Sequence, residues 1–119
     1  MVFIISGCSL KEPLISSNSA TILFKTPTIK FHDKGFIYKY KNYTQLQVFT
    51  TGKVIFDVKI YNNEICTGTF KCMSLKEFNK NNLSSTYEDN FIKQLFDENN
   101  KISYFKDSKN GILIKINRD

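Results

Sequence analysis

The sequence predicts a mainly β fold of the α+β kind: an antiparallel β-meander or curved sheet, with two short helices inserted before a C-terminal β-hairpin. Three observations carry that expectation. Residues 53–61 alternate, with Val54, Phe56, Val58 and Ile60 on one side and Asp57 and Lys59 on the other, the period of two that marks a half-buried strand. Ser74 and Glu77, then Ser85 and Glu88, stand three apart ahead of apolar residues, the pattern of a capping box at a helix start. Near the C-terminus Ile112, Ile114 and Ile116 again recur at every second position. Eleven Phe and six Tyr without a single Trp add strand-favouring bulk. A chain of 119 residues has room for one domain with a real core.

The elements follow in order. Residues 21–25 and 29–31 read as short β runs parted by Thr26-Pro27, and residues 32–35 as a turn ending in Gly35. Residues 36–40 form the next strand. After Lys41-Asn42, residues 43–49 place Thr44, Leu46 and Val48 on one face and Gln45 and Gln47 on the other. Thr50-Thr51-Gly52 closes a hairpin into residues 53–61, and Asn62-Asn63 turns into residues 64–66. The period then changes. Ser74 caps a helix to about Asn81, and Ser85 caps a longer one to about Glu98, whose stripe of Tyr87, Phe91, Ile92, Leu95 and Phe96 reads as core packing over the sheet. Residues 102–106, a turn at 107–111 and residues 112–117 close the chain as a hairpin, with the three isoleucines facing in.

The N-terminus carries a different kind of signal. Ile5, Ser6, Gly7 and Cys8 resemble the bacterial lipobox, an aliphatic residue and two small ones before a cysteine. That resemblance implies a diacylglyceryl group on the Cys8 thiol, cleavage ahead of it, and, with Ser9 following, sorting to the outer membrane facing the periplasm. After Met1 only Val2, Phe3, Ile4 and Ile5, and no Lys or Arg, precede the small ones, so residues 1–8 read as a truncated lipoprotein signal segment. The alternative is a buried or edge strand over residues 2–5. Residues 9–20, rich in Ser with one Asn and one Pro, are expected to be a flexible tether, and residues 21–119 a single β-rich domain. No apolar run approaches the ~18 residues of a membrane span.

With Cys8 taken by lipid, Cys66 and Cys72 remain as a pair around a short segment containing Gly68. A disulfide between them, pinning a strand to the following helix, is expected in an oxidising compartment; two separate buried thiols are the alternative. No metal site is expected, since Cys-x5-Cys has the wrong spacing and the sole histidine, His32, is remote. No nucleophile elbow, phosphate loop or dinucleotide fingerprint occurs. His32-Asp33 reads as a turn rather than a dyad, and Asp57, Glu64 and Glu77 cannot be paired as acid and base. No catalytic residues and no cofactor are therefore expected, and the chain does not read as an enzyme.

The formal charge of +6 is spread without a dense cluster or an RNA-binding aromatic signature, so nucleic acid is not an expected partner. The lipobox, the polar segment after it, and the runs from Phe31 through Gly35 to Phe36 and from Lys109 to Lys115 resemble the short lipoproteins of epsilonproteobacteria. That likeness implies an envelope-anchored binding module in the periplasm, with the membrane as one partner through the lipid and an envelope protein as another. The order of strands, helices and hairpin also resembles, at the level of fold, the half-barrel of the lipoprotein carrier LolA and its receptor LolB, which implies acyl chains as cargo. A β-sandwich is the competing architecture for the module.

Overall fold

A computed structural model describes residues 13–67 and 71–119. Eight strands form one open antiparallel sheet: β1 (Leu14–Lys25), β2 (Lys30–Tyr40), β3 (Tyr43–Thr50), β4 (Lys53–Tyr61), β5 (Glu64–Thr67), β6 (Lys71–Ser74), β7 (Ile102–Asp107) and β8 (Ile112–Arg118). Between β6 and β7 come helix α1 (Leu75–Asn82) and helix α2 (Phe91–Asp97). The spatial order is β6-β5-β4-β3-β2-β1-β8-β7. A six-strand meander is thus extended on its β1 side by the C-terminal hairpin, with Ala20 opposite Arg118 and Phe24 opposite Ile114. The predicted fold class stands, and one continuous sheet replaces the competing sandwich.

Alternation decides which face is buried. Ile22, Phe24, Ile37, Leu46, Val48, Val58, Ile60, Ile114 and Ile116 are essentially inaccessible, and Leu75, Phe78, Ile92, Leu95 and Phe96 of the two helices belong to the same core. A sheet with one oily face needs such a cover. Ser74 performs the capping expected of it: its Oγ accepts from the Glu77 N–H at 3.0 Å. The β3–β4 turn carries Thr51 and Gly52 at φ 46° and 82°, the doubly left-handed turn that suits a twisted two-residue hairpin.

Several expectations need correction. The tether was expected to run to residue 20, yet β1 begins at Leu14; residues 1–12 lie outside the described part. Ladder bonds come from the backbone, so the polar side chains of Ser17 and Ser19 sit in the strand opposite Tyr38 and Phe36. The turn expected at 32–35 is absent, because β2 runs unbroken through it. Gly35 answers a close approach instead: a Cβ there would lie 2.7 Å from the Gln47 carbonyl oxygen and 3.0 Å from Ile22 Cδ1. Val54 was expected to face inward but is 48% exposed. The register slips between Val48 and Phe49, leaving Ile55 as an extra residue, and a bulge of this kind turns the side chains beyond it.

The second capping box does not form. α2 begins only at Phe91 and its Asn90 cap makes no side-chain bond. Ser84 Oγ accepts from the Thr86 N–H in a local turn, and the Glu88 carbonyl takes the Asn79 side-chain amide at 2.8 Å. Tyr87 is drawn away to donate to Asp107 and to pack on Phe91 and Phe105. These side-chain bonds compete with the helical ones they replace. Strand β6, unexpected from sequence, occupies the short run before α1.

Candidate interaction surfaces

Among the described residues the core between the sheet and the helices is closely packed. The apolar gap among Phe24, Leu46, Phe56, Ile60, Phe78 and Phe96 amounts to about 10 Å³, scarcely the room of one water molecule.

Among the described residues no helix covers the opposite face, which differs in chemistry. Tyr40 stacks on Tyr43 at 4.6 Å between ring centroids, and Tyr43 meets Tyr61 at 5.1 Å. Phe36 lies 6.1 Å from Tyr38 and 5.8 Å edge-on from Phe49. β-strand alternation puts these rings on the uncovered face, because the neighbours between them (Ile37, Thr44, Leu46, Val48 and Ile60) point into the core. Lys59 lies over the Tyr43 ring, its Nζ 5.4 Å from the centroid. Asp57 accepts from Gln45 at 3.0 Å and from Gln47 at 3.2 Å. Toward β5 and β6 the face dips into an open depression of about 450 Å³ lined by Gln45, Asp57, Lys59, Tyr61, Glu64 and the Cys66–Cys72 bridge.

That bridge is present as the sequence led us to expect, joining residues directly opposite in the β5–β6 ladder. It locks a hairpin, and because β6 runs straight into α1 it also fixes where the helix starts. The Glu64 carboxylate lies within 4.8 Å of both sulfurs, but bonded sulfurs supply no thiolate to a metal. We expect reduction to cost about 2 kcal/mol of stability, the entropy of a short closed loop. Urea unfolding of oxidised and reduced protein measures it; coincident midpoints would show that the bridge constrains nothing the ladder does not already hold.

The helical side is organised around charge. Lys39 Nζ donates to the Asp97 carbonyl at 2.6 Å, Thr44 Oγ1 to the Asp97 carboxylate, and Lys93 pairs with that carboxylate at 2.7 Å. Arg118 is buried; its guanidinium donates to the Leu95 carbonyl at 3.2 Å, the Asn100 carbonyl at 2.9 Å and Ser103 Oγ at 2.7 Å. Ser103 in turn donates to Glu98 at 2.6 Å. Cations at a helix C-terminus meet its unpaired carbonyls and favour its dipole. Burial lowers the Arg118 pKa while the nearby Glu98 charge opposes that shift; guanidinium remains charged regardless.

A second recess follows the edge of the sheet. Tyr87, Phe91 and Phe105 form a mutual cluster, with centroids 4.8 to 5.5 Å apart. Burial, then the Asp107 hydrogen bond, pushes the Tyr87 phenol well above its ordinary pKa. Bonds from Tyr87 and Asn110 hold Asp107 below the usual carboxylate range.

Of the residues singled out from sequence, Cys8 and its lipobox neighbours Ile5, Ser6 and Gly7 fall outside the described residues, as does Gly68. His32 and Asp33 lie on opposite faces of β2, as alternation demands. Asp57 and Glu64 share the rim of one depression, whereas Glu77 sits in the first turn of α1. Sequence reading missed Arg118, the Tyr87–Asp107 bond and the aromatic ranks. The spacing of Phe36, Tyr38 and Tyr40 was a visible sign of the last. Compared with known proteins, the chain matches no family model, no curated protein and no solved structure.

Proposed function

We propose that this chain is a non-enzymatic interaction module, held in the bacterial envelope by a lipid on Cys8 and presenting its bare sheet face to an envelope protein. The observation that supports the binding role is the contrast between the two faces. One is sealed by helices; the other leaves Phe36, Tyr38, Tyr40, Tyr43, Phe49 and Tyr61 on one surface with Lys59 and Asp57 among them. Aromatic residues with a few polar anchors are the composition of protein interfaces, not of an idle solvent face. A gap of about 10 Å³ favours this reading over acyl-chain carriage in the manner of LolA and LolB. No described helix is long and apolar enough to cross a membrane.

The test has two arms. Palmitate labelling of protein expressed with its upstream DNA is expected to depend on Cys8, with label and membrane association lost in Cys8→Ala; label-free protein in the cytosol would remove the address. A photo-crosslinker at Tyr38 on the bare face is expected to give a discrete adduct with one envelope protein, and one at Lys76 on the helical side to give none. Equal adducts from both positions, or none from either, would sink the module reading.

A further inference from the structure

We propose that the open edge at β7, with the groove between it and α2, captures an extended peptide as a ninth strand. This inference rests on the reading of the chain as a binding module and names the partner's chemistry.

Among the described residues β7 pairs on one side alone, with β8. The Arg118 N–H bonds to the Lys101 carbonyl at 2.8 Å, and Ile102 stands opposite Asn117. In an antiparallel ladder this makes 102–117 a non-bonded pair. Ser103, Phe105 and Asp107 therefore exchange their bonds with β8, and the N–H and C=O groups of Ile102, Tyr104 and Lys106 point outward. An edge of this kind is a template for another strand, which natural proteins usually blunt or use. Here Ile102 and Tyr104 remain 49% and 60% exposed.

Next comes the groove. Two recesses, of about 340 and 210 Å³, lie on the helical side of β7 and share Phe91, Gln94 and Phe105 as walls. The first extends to Tyr87 and Glu88, the second to Leu95 and Glu98. A strand laid along β7 sends alternate side chains into this space and the rest onto the bare face. A helix beside an exposed sheet edge is the arrangement by which peptide-binding domains combine main-chain bonds for affinity with pockets for specificity.

The two directions ask for different residues. Inward positions meet the Phe91 and Phe105 rings and take apolar side chains. Outward positions run beside Ile102, Tyr104 and Lys106, with Lys115 opposite Tyr104; they take acidic or aromatic side chains. The expected ligand is thus an unstructured segment of a partner protein in which apolar residues alternate with acidic or aromatic ones.

The experiment is selection of a phage-displayed random peptide library on the full chain, followed by affinity measurement of an enriched peptide. Two variants act independently. Tyr104→Pro removes one outward N–H and leaves the β8 bonds in place, since proline is tolerated at edge positions whose N–H faces solvent. Gln94→Trp fills the groove while leaving the residues of β7 unchanged. Each is expected to weaken the peptide by about tenfold or more, the equivalent of roughly one lost interaction of 1.4 kcal/mol, while the thermal midpoint stays near that of wild type. Bound peptide is also expected to slow amide exchange at Ile102, Tyr104 and Lys106. Enriched peptides without the alternation, or binding indifferent to both variants, would overturn the edge site. So would a dimer in solution that Tyr104→Pro dissolves, since a second copy would then be the occupant. If the Tyr38 crosslink persists when peptide binding is absent, the edge proposal falls alone and the module reading stands.

Discussion

Replacing Arg118 by alanine is expected to lower the unfolding free energy by about 3 kcal/mol, the cost of removing a buried charged donor from three acceptors at once. The guanidinium reaches Leu95 at the end of α2, Asn100 in the connection to β7 and Ser103 within β7. Its removal takes one donor from each of two carbonyls and from Ser103 Oγ, which keeps Glu98 as its acceptor. Arg118→Met, of similar length, is expected to lose nearly as much, because packing is restored and the acceptors are not. Arg118→Lys is expected to fall between, since one ammonium cannot span three acceptors spread over a planar fork. Urea titration at neutral pH reads all three; a loss in the alanine variant below about 1 kcal/mol would show that solvent replaces the guanidinium easily.

Gly35→Ala is the second large effect, and its sign carries the information. At an unhindered strand position the change stabilises by about 0.4–1 kcal/mol through the unfolded chain. Here the new methyl meets the Gln47 carbonyl oxygen at 2.7 Å, with Ile22 Cδ1 at 3.0 Å and Val48 Cγ2 at 3.3 Å. The first of these is backbone of the adjacent strand and cannot swing aside. Moving β2 from β3 disturbs the ladder on both sides, because Gly35 pairs with Ala20 and with Val48. A destabilisation of about 2–3 kcal/mol is expected, the range of overpacked cores. Gly35→Ser should behave alike, and a neutral alanine variant would mean that the sheet twists enough to admit a methyl.

These two residues also mark where sequence reading stops. Strands whose alternation is strong, such as residues 43–49 and 112–117, were legible because one face is buried and the pattern records it. Gly35 reads as a turn in sequence because glycine beside His, Asp and Lys has the composition of one; its real constraint is a neighbour brought close by pairing across strands. The Ser-rich stretch of β1 looked like tether for the same reason, since ladder bonds leave no trace in side-chain polarity. The helix expected from Ser85 failed where Tyr87 and Asn79 found tertiary partners. Cys66 and Cys72 were legible from count and spacing, although their place in a two-stranded ladder was not. The aromatic faces belong to single strands in sequence and become one surface only when β2, β3 and β4 lie side by side. The β7 groove joins α2 to a strand paired elsewhere, and no local pattern announces that.

The pairing of β1 with β8 imposes an order on folding. Ala20 finds Arg118 across almost the whole chain, whereas every other neighbouring pair of strands follows in sequence. Local hairpins close within microseconds, but distant contacts repay their loop entropy late. The meander therefore forms while one side of β1, with Ile22 and Phe24, still waits for its partner. Until residues 112–118 arrive, that edge of β1 stays open, and an open strand edge is a template for pairing with another chain.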